Sequence, residues 1–398
     1  MTKILKQWIG SWLKSPTMTI LDSYFLLLSL AGLWKPRSWR GIKAFCYYIY
    51  QLNVVLSEHL FIISGALDLQ FKNTQLEALI DNLALLLVVI LCRQKMACVI
   101  SNREAVKSII DSLGKPPFKP RDLQEELIIQ KFNRFVKKIF IFYPTTFIGA
   151  LLVYSGSRSN VVDPPYILPY KGWFPYNYTS PTIYWITALF QLYAVYIATA
   201  IDLVFDLLLA GILCYLRSQV GILQHRFQVM VQKLEISPNR EQSLVAEWVQ
   251  QHVTIVNLVK YLNKIFSSVI FVQYTSSSLI LCTLAYLMAH TEVTTINFLG
   301  YFGFLAGMYL QIFLQCFCAH MLTSEFLSVS RGICTTNWFN LSNDTKKSIV
   351  IIMYKCDKPV LITSGFFFVL SLDSFTKVSK LAYSIYNVLE LNLKQFIN

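Results

Sequence analysis

The sequence is short of charge. Asp, Glu, Lys and Arg make up 14% of its 398 residues, against roughly 25% in soluble domains. So few charges cannot cover a soluble surface of this size. Hydrophobic residues reach 55%, which excludes a disordered chain or a coiled coil. Catalytic patterns are missing as well. His59, His225, His252, His290 and His320 are scattered, with none at the i, i+4 spacing of a zinc site. There is no Gly-rich phosphate loop and no Ser elbow. We therefore expect no enzyme, no metal and no cofactor. The absence of an internal repeat argues against a secondary transporter.

What remains is a membrane protein. A helix needs about 20 mostly apolar residues to cross the hydrocarbon core. Runs at 43–67, 76–98, 139–155, 181–215, 267–289, 296–322 and 360–393 meet that rule. They are too long for barrel strands, so the fold class is an all-α polytopic bundle with seven transmembrane helices. The apolar stretch 18–34 has basic residues on both sides, and we read 1–42 as a cytoplasmic segment with a re-entrant or interfacial helix. Trp8 and Trp12 would anchor it at the interface. No cleavable secretory signal is expected at the N-terminus.

The net charge of +13 would suggest nucleic acid in a soluble protein. Here it sorts by side instead. Segments 1–43, 93–138, 217–264 and 324–358 hold 29 of the 35 Lys and Arg residues. Basic loops stay in the cytoplasm, so the N-terminus is predicted inside and the C-terminus outside. None of the nine cysteines falls in a predicted outer loop, so no extracellular disulfide is expected. Asn177 heads a glycosylation sequon in the outer loop 156–181. Asn340 and Asn343 head two more on the predicted cytoplasmic side, where they could not be used.

Ionisable groups inside a membrane are expensive and mark function by default. Asp202 and Asp206 lie one turn apart in the fourth span, where a cytosolic helix face and a functional pair are equally good readings. The last span carries a stripe. At 100° per residue, Asp373, Lys377, Lys380, Ser384, Asn387 and Leu391 fall within an arc of about 80°. Such a stripe avoids lipid. It packs inside a bundle, or it lines a water-filled axis shared by several copies. In the second case Val388 and Leu391 form an apolar constriction that closes by dewetting, with Lys377 and Lys380 in a wider vestibule. Segments 217–264 and 323–358 predict helices extending into the cytoplasm. Ile349, Ile352 and Met353 give the second of these an apolar face, which assembly between subunits would bury.

The C-terminal third carries more specific words. Thr336-Asn337-Trp338-Phe339 precedes an amphipathic helix and Lys358-Pro359. Then come Thr363-Ser364-Gly365-Phe366-Phe367-Phe368, Ser371-Leu372-Asp373-Ser374-Phe375 and Ala382-Tyr383-Ser384-Ile385-Tyr386-Asn387-Val388-Leu389. This order resembles the signature of insect odorant receptors. The motifs cover about 336–391; the rest matches in length and hydropathy.

The resemblance implies a tuning subunit of a heteromeric odorant-gated cation channel in the plasma membrane of a sensory dendrite. Its partners would be a co-receptor subunit, in a tetramer, and a small volatile ligand. It also implies that the last helix, 359–398, lines the pore. Matched through Ser371-Leu372-Asp373, the family's gate position falls on Val388 and its polar neighbour on Leu391. The ligand would lie in the outer half of the bundle 43–322. Depth selects Leu83, Phe147, Leu151, Tyr154, Tyr193, Ile197, Thr283, Tyr301 and Phe304 as its pocket. A gustatory receptor would share the topology and mechanism with other ligands. A seven-span G-protein-coupled receptor would need the opposite orientation, against the charge bias.

Overall fold

A computed structural model describes residues 19–36, 39–71, 76–158, 167–236, 241–358, 360–365 and 368–397. The chain is nearly all helical. α1 (Thr19–Leu30), α2 (Ile42–Phe71), α3 (Leu76–Ser101), α4 (Arg103–Leu113) and α5 (Leu123–Arg158) come first. α6 (Pro181–Ile236), α7 (Glu241–Ala289), α8 (Ile296–Cys334), α9 (Asn343–Cys356) and α10 (Leu372–Ile397) follow. Among the described residues, six helices are long and apolar enough to cross a membrane: α2, α3, α5, α6, α7 and α8. The expected regions 1–18, with Trp8 and Trp12, lie outside the described residues.

α6 is the central post. It is largely apolar with no continuous polar face, and most of its faces are covered by α3, α5, α7 and α8. A helix without a polar face has to sit in the middle of a bundle. The described part of α1 has 12 residues, about 18 Å at 1.5 Å per residue. It turns back at Gly32, whose φ of 75° suits glycine. The ring of Tyr24 lies on Gly211 of α6, where any Cβ would collide with it. That close approach requires glycine.

α6 and α7 run on past the apolar core, as the segment 217–264 predicts. Their lower halves are tied down by Arg226. Its guanidinium donates to both Glu125 carboxylate oxygens at 2.7 Å, to the carbonyls of Pro117 and Lys119, and to Gln251 Oε1. Both partners are buried, so the fork holds α5 and α6 together through a fully desolvated pair.

Two expectations need correction. The apolar face of α9 is not free for a second subunit: Ile349, Ile352 and Cys356 are buried in the same chain, on α7 and α8. Val350, Ile351 and Tyr354 on the other face stay exposed. The last apolar run also does not start as a helix at 360. Thr363–Ser364 and Phe368–Val369 pair as antiparallel strands β1 and β2. Gly365 turns the chain with φ of 60°. The hairpin docks on α7: Asn263 Nδ2 donates to Thr363 Oγ1, and the Thr363 and Gly365 amides donate to Asn263 Oδ1 and Ser267 Oγ. β-branched and aromatic residues favour this extended form.

α10 then packs Val378 and Ala382 inward, with Phe375 against Tyr309 and Phe313. Asp373, Lys377, Lys380 and Ser384 are exposed on its outer side, and Asn387 is half-buried. The helix continues through 388 and 391, but the side chains of Val388 and Leu391 lie outside the described residues.

Candidate functional site

A cavity opens between α3, α5, α6 and α8, enclosing about 560 Å³ of empty space counting its mouth. Its concave, apolar character is that of a small-molecule site. Its walls are almost wholly apolar: Leu85, Val88 and Val89 from α3, Phe147 and Leu151 from α5, and Phe304 and Met308 from α8. Gly303 and Gly307 face it from α8. A Cβ at Gly303 would stand in ordinary contact with the Ala150 backbone, at 3.5 Å.

The outer end is closed by a charged latch. Arg158 of α5 forks onto Asp81 of α3, with Nη1 to Oδ2 at 2.7 Å and Nη2 to Oδ1 at 2.5 Å. Its guanidinium carbon lies 5.1 Å from the ring centres of both Tyr154 and Tyr301, a double cation–π contact. Tyr154 also packs on Phe304 at 5.0 Å between centroids. The latch joins three of the four helices around the cavity.

The inner end is a buried polar cluster. Lys95 of α3 is fully buried and reaches Asp202 Oδ1 at 2.6 Å and Asp206 Oδ1 at 2.7 Å. Tyr143 donates to Asp206 Oδ2. Gln311 Nε2 donates to both carboxylates, and Gln315 Nε2 donates to Asp206 and to Gln273 Oε1. Five helices, α3, α5, α6, α7 and α8, contribute a side chain. Asp202 is the member that also lines the cavity. The sequence count placed Lys95 in a cytoplasmic loop; it is instead an internal counterion, because α3 continues to Ser101.

Of the expected pocket residues, the cavity brings together Phe147, Leu151, Tyr154 and Phe304. Leu83 is exposed on α3. Tyr193 is exposed on α6, its hydroxyl on Asn53 Oδ1. Ile197 packs beside the core. Thr283 is buried on α7, with its hydroxyl on the Ile280 carbonyl. Tyr301 belongs to the latch. Among the lining residues that sequence reasoning missed, Leu85, Val195 and Thr199 stand two positions from Leu83, Tyr193 and Ile197. Two positions are about 200° around a helix. Depth selects the right turns, while an all-apolar helix gives no signal for which face is which.

Asn177 is exposed between α5 and α6, and its Oδ1 accepts from the Thr179 amide. No group of three or more His, Cys, Asp or Glu residues fit to hold a metal occurs among the described residues. Cys356 Sγ and His252 Nε2 lie 3.8 Å apart. Burial pushes the thiol up to about 11 and the imidazole down. Both are therefore neutral at pH 7, and the contact is packing, not an activated nucleophile.

The 7tm Odorant receptor family model matches residues 75–383. Odorant receptor 46a, isoform A, of Drosophila melanogaster is 23% identical over 378 residues, covering 91% of this chain and 95% of the relative. The odorant receptor coreceptor of Aedes aegypti is 27% identical over 136 residues, 34% of this chain and 28% of that protein. Among solved structures, the insect olfactory receptor OR5 from Machilis hrabei in complex with eugenol superposes with a TM-score of 0.84. The identity is 16%, over 94% of this chain and 97% of that one, so the likeness is one of fold.

Proposed function

The chain belongs to the odorant receptor family, and from that premise we propose that it is the odorant-binding subunit of a ligand-gated cation channel. The observation that carries the reading is the cavity: apolar walls, enclosed by four helices, with polar groups confined to its two ends. A small volatile gains by leaving water for such walls, at roughly 25 cal/mol per Å² of apolar surface buried. One polar contact then orients it.

The channel part draws on α10. Its polar stripe faces away from its own bundle, and exposed Asp373, Lys377, Lys380 and Ser384 cannot rest against lipid. Several copies around an axis give that stripe water. α10 is then the seventh span, Val388 and Leu391 narrow its outer end, and the C-terminus is extracellular. The N-terminus is cytoplasmic, and the plasma membrane of a sensory neuron is the site of action. Asn177 is then on the outside, open to glycosylation.

The partner is the co-receptor subunit, in a tetramer, and support for it is the stretch shared with the Aedes aegypti coreceptor. The exposed apolar residues of α9, Val350, Ile351 and Tyr354, together with the lower halves of α6 and α7, give that assembly a cytoplasmic contact surface. Gating needs a ligand that binds the open state better than the closed one, because equal affinity shifts nothing. A ligand seated between α5, α6 and α8 acts on α10 through α8, where Tyr309 and Phe313 touch Phe375.

The test is electrical. Cells expressing this chain with a co-receptor should pass cation current within milliseconds of a volatile reaching them, with G-protein signalling blocked. A response that needs G proteins, or that begins only after seconds, would overturn the channel reading.

A further inference from the structure

Resting on the reading of the cavity as the odorant site, we propose that it selects ligands bearing a hydrogen-bond donor. These are alcohols or amines on a short apolar skeleton, and they are preferred over aldehydes, ketones and esters of the same size. The reason is the chemistry of the Asp202 end.

The two polar residues that line the cavity at this end, Asp202 and Thr199, offer it no free donor hydrogen. Lys95 donates to Asp202 Oδ1 and Asp206 Oδ1. Tyr143 donates to Asp206, and the Gln315 amide to Asp206 and Gln273. Thr199, which lines the cavity one turn above Asp202, donates its hydroxyl hydrogen to the Val195 carbonyl at 2.9 Å. What is left facing the cavity accepts. The Thr199 oxygen keeps its lone pairs, and each Asp202 oxygen takes one donor while a carboxylate oxygen can take two. Behind Asp202 and outside the cavity wall, Gln311, whose amide nitrogen reaches Asp202 at 2.6 Å, has a buried carbonyl oxygen with no donor. Two carboxylates against one ammonium also leave a surplus of negative charge.

An O–H or N–H head entering this end finds an acceptor. A carbonyl or ester oxygen meets only other acceptors, and it leaves the site's polar atoms unmatched. Discrimination against a ligand lacking the matching group is large when the site is buried, and at least roughly tenfold is expected here.

The experiment applies 1-alkanols, 1-alkylamines and matched alkanals, from four to ten carbons, to cells expressing the full chain with a co-receptor. The expected result is a half-maximal concentration at least about tenfold lower for the alkanol or amine than for the alkanal of equal length. Asp202→Asn should collapse that ratio. It keeps the shape, adds a donor, and leaves Lys95 balanced by Asp206, so the variant cluster loses its surplus negative charge but keeps its ion pair. Thr199→Val, which leaves the cluster untouched, should narrow the ratio in the same direction.

Alkanals as potent as alkanols on the natural chain would overturn the donor selectivity and leave the odorant reading intact. So would a ratio that survives both substitutions, because recognition would then lie elsewhere. Silence to every compound would overturn the odorant reading, and this inference with it.

Discussion

Replacing Lys95 with Met is expected to keep the protein from reaching the cell surface. Among the described residues, Lys95 is the one cation in contact with Asp202 and Asp206, and all three are buried. Without it two carboxylates face each other in the interior. Removing one partner of a buried pair costs about 3–5 kcal/mol, a large share of the 5–15 kcal/mol that holds a typical domain. Neither carboxylate can turn to water, since Gln311, Gln315 and Tyr143 hold them in place. The triple variant Lys95→Met, Asp202→Asn, Asp206→Asn removes the charges together and should recover most of the surface protein. Surface labelling of a tagged extracellular loop measures both. Normal delivery of the single variant would show that the cluster does not hold the bundle together.

Val88→Phe should abolish or strongly weaken the odorant response while leaving delivery intact. Val88 lines the cavity and is only half-buried, so the larger ring can enter the empty space without crushing the core. A ligand must then compete with that ring. If displacing the ring costs the ligand about 1–3 kcal/mol, as a steric clash in a packed site does, the half-maximal concentration rises roughly fivefold to 150-fold. Leu83→Phe is the matched control. It stands on the same helix but is exposed away from the cavity, and its dose–response curve should move by less than about twofold. Equal effects at the two positions would place the ligand elsewhere.

The two positions also mark the limit of the sequence. Runs of apolar residues are visible to counting, so the helices α2, α3, α5, α6, α7 and α8 were all legible, as were the long lower halves of α6 and α7. Direction around a helix was legible only where polarity varies. α10 has a polar stripe, and the structure leaves its described members Asp373, Lys377, Lys380 and Ser384 exposed on one side. α6 has none, and there depth alone points to Tyr193 and Ile197 where Val195 and Thr199 line the cavity.

Charge misled for a related reason. Lys95 reads as a loop residue because its partners lie more than 100 positions away, on α6. Nothing local to Lys95 announces Asp202 and Asp206. Conversely, the Asp202–Asp206 spacing was visible, but its counterion was not. The hairpin at β1 and β2 was hidden because its Phe-rich run looks like the start of a span. Its hydrogen bonds come from Asn263 and Ser267 on a different helix.

The most direct measurement is where a volatile-sized ligand sits. A short alkanol carrying a diazirine, photolysed on the assembled receptor and mapped by mass spectrometry, should label residues 147–154 and 303–308. An excess of an active odorant should prevent that labelling. Competable labelling confined to other helices, or labelling of the cavity that no active odorant displaces, would contradict the account.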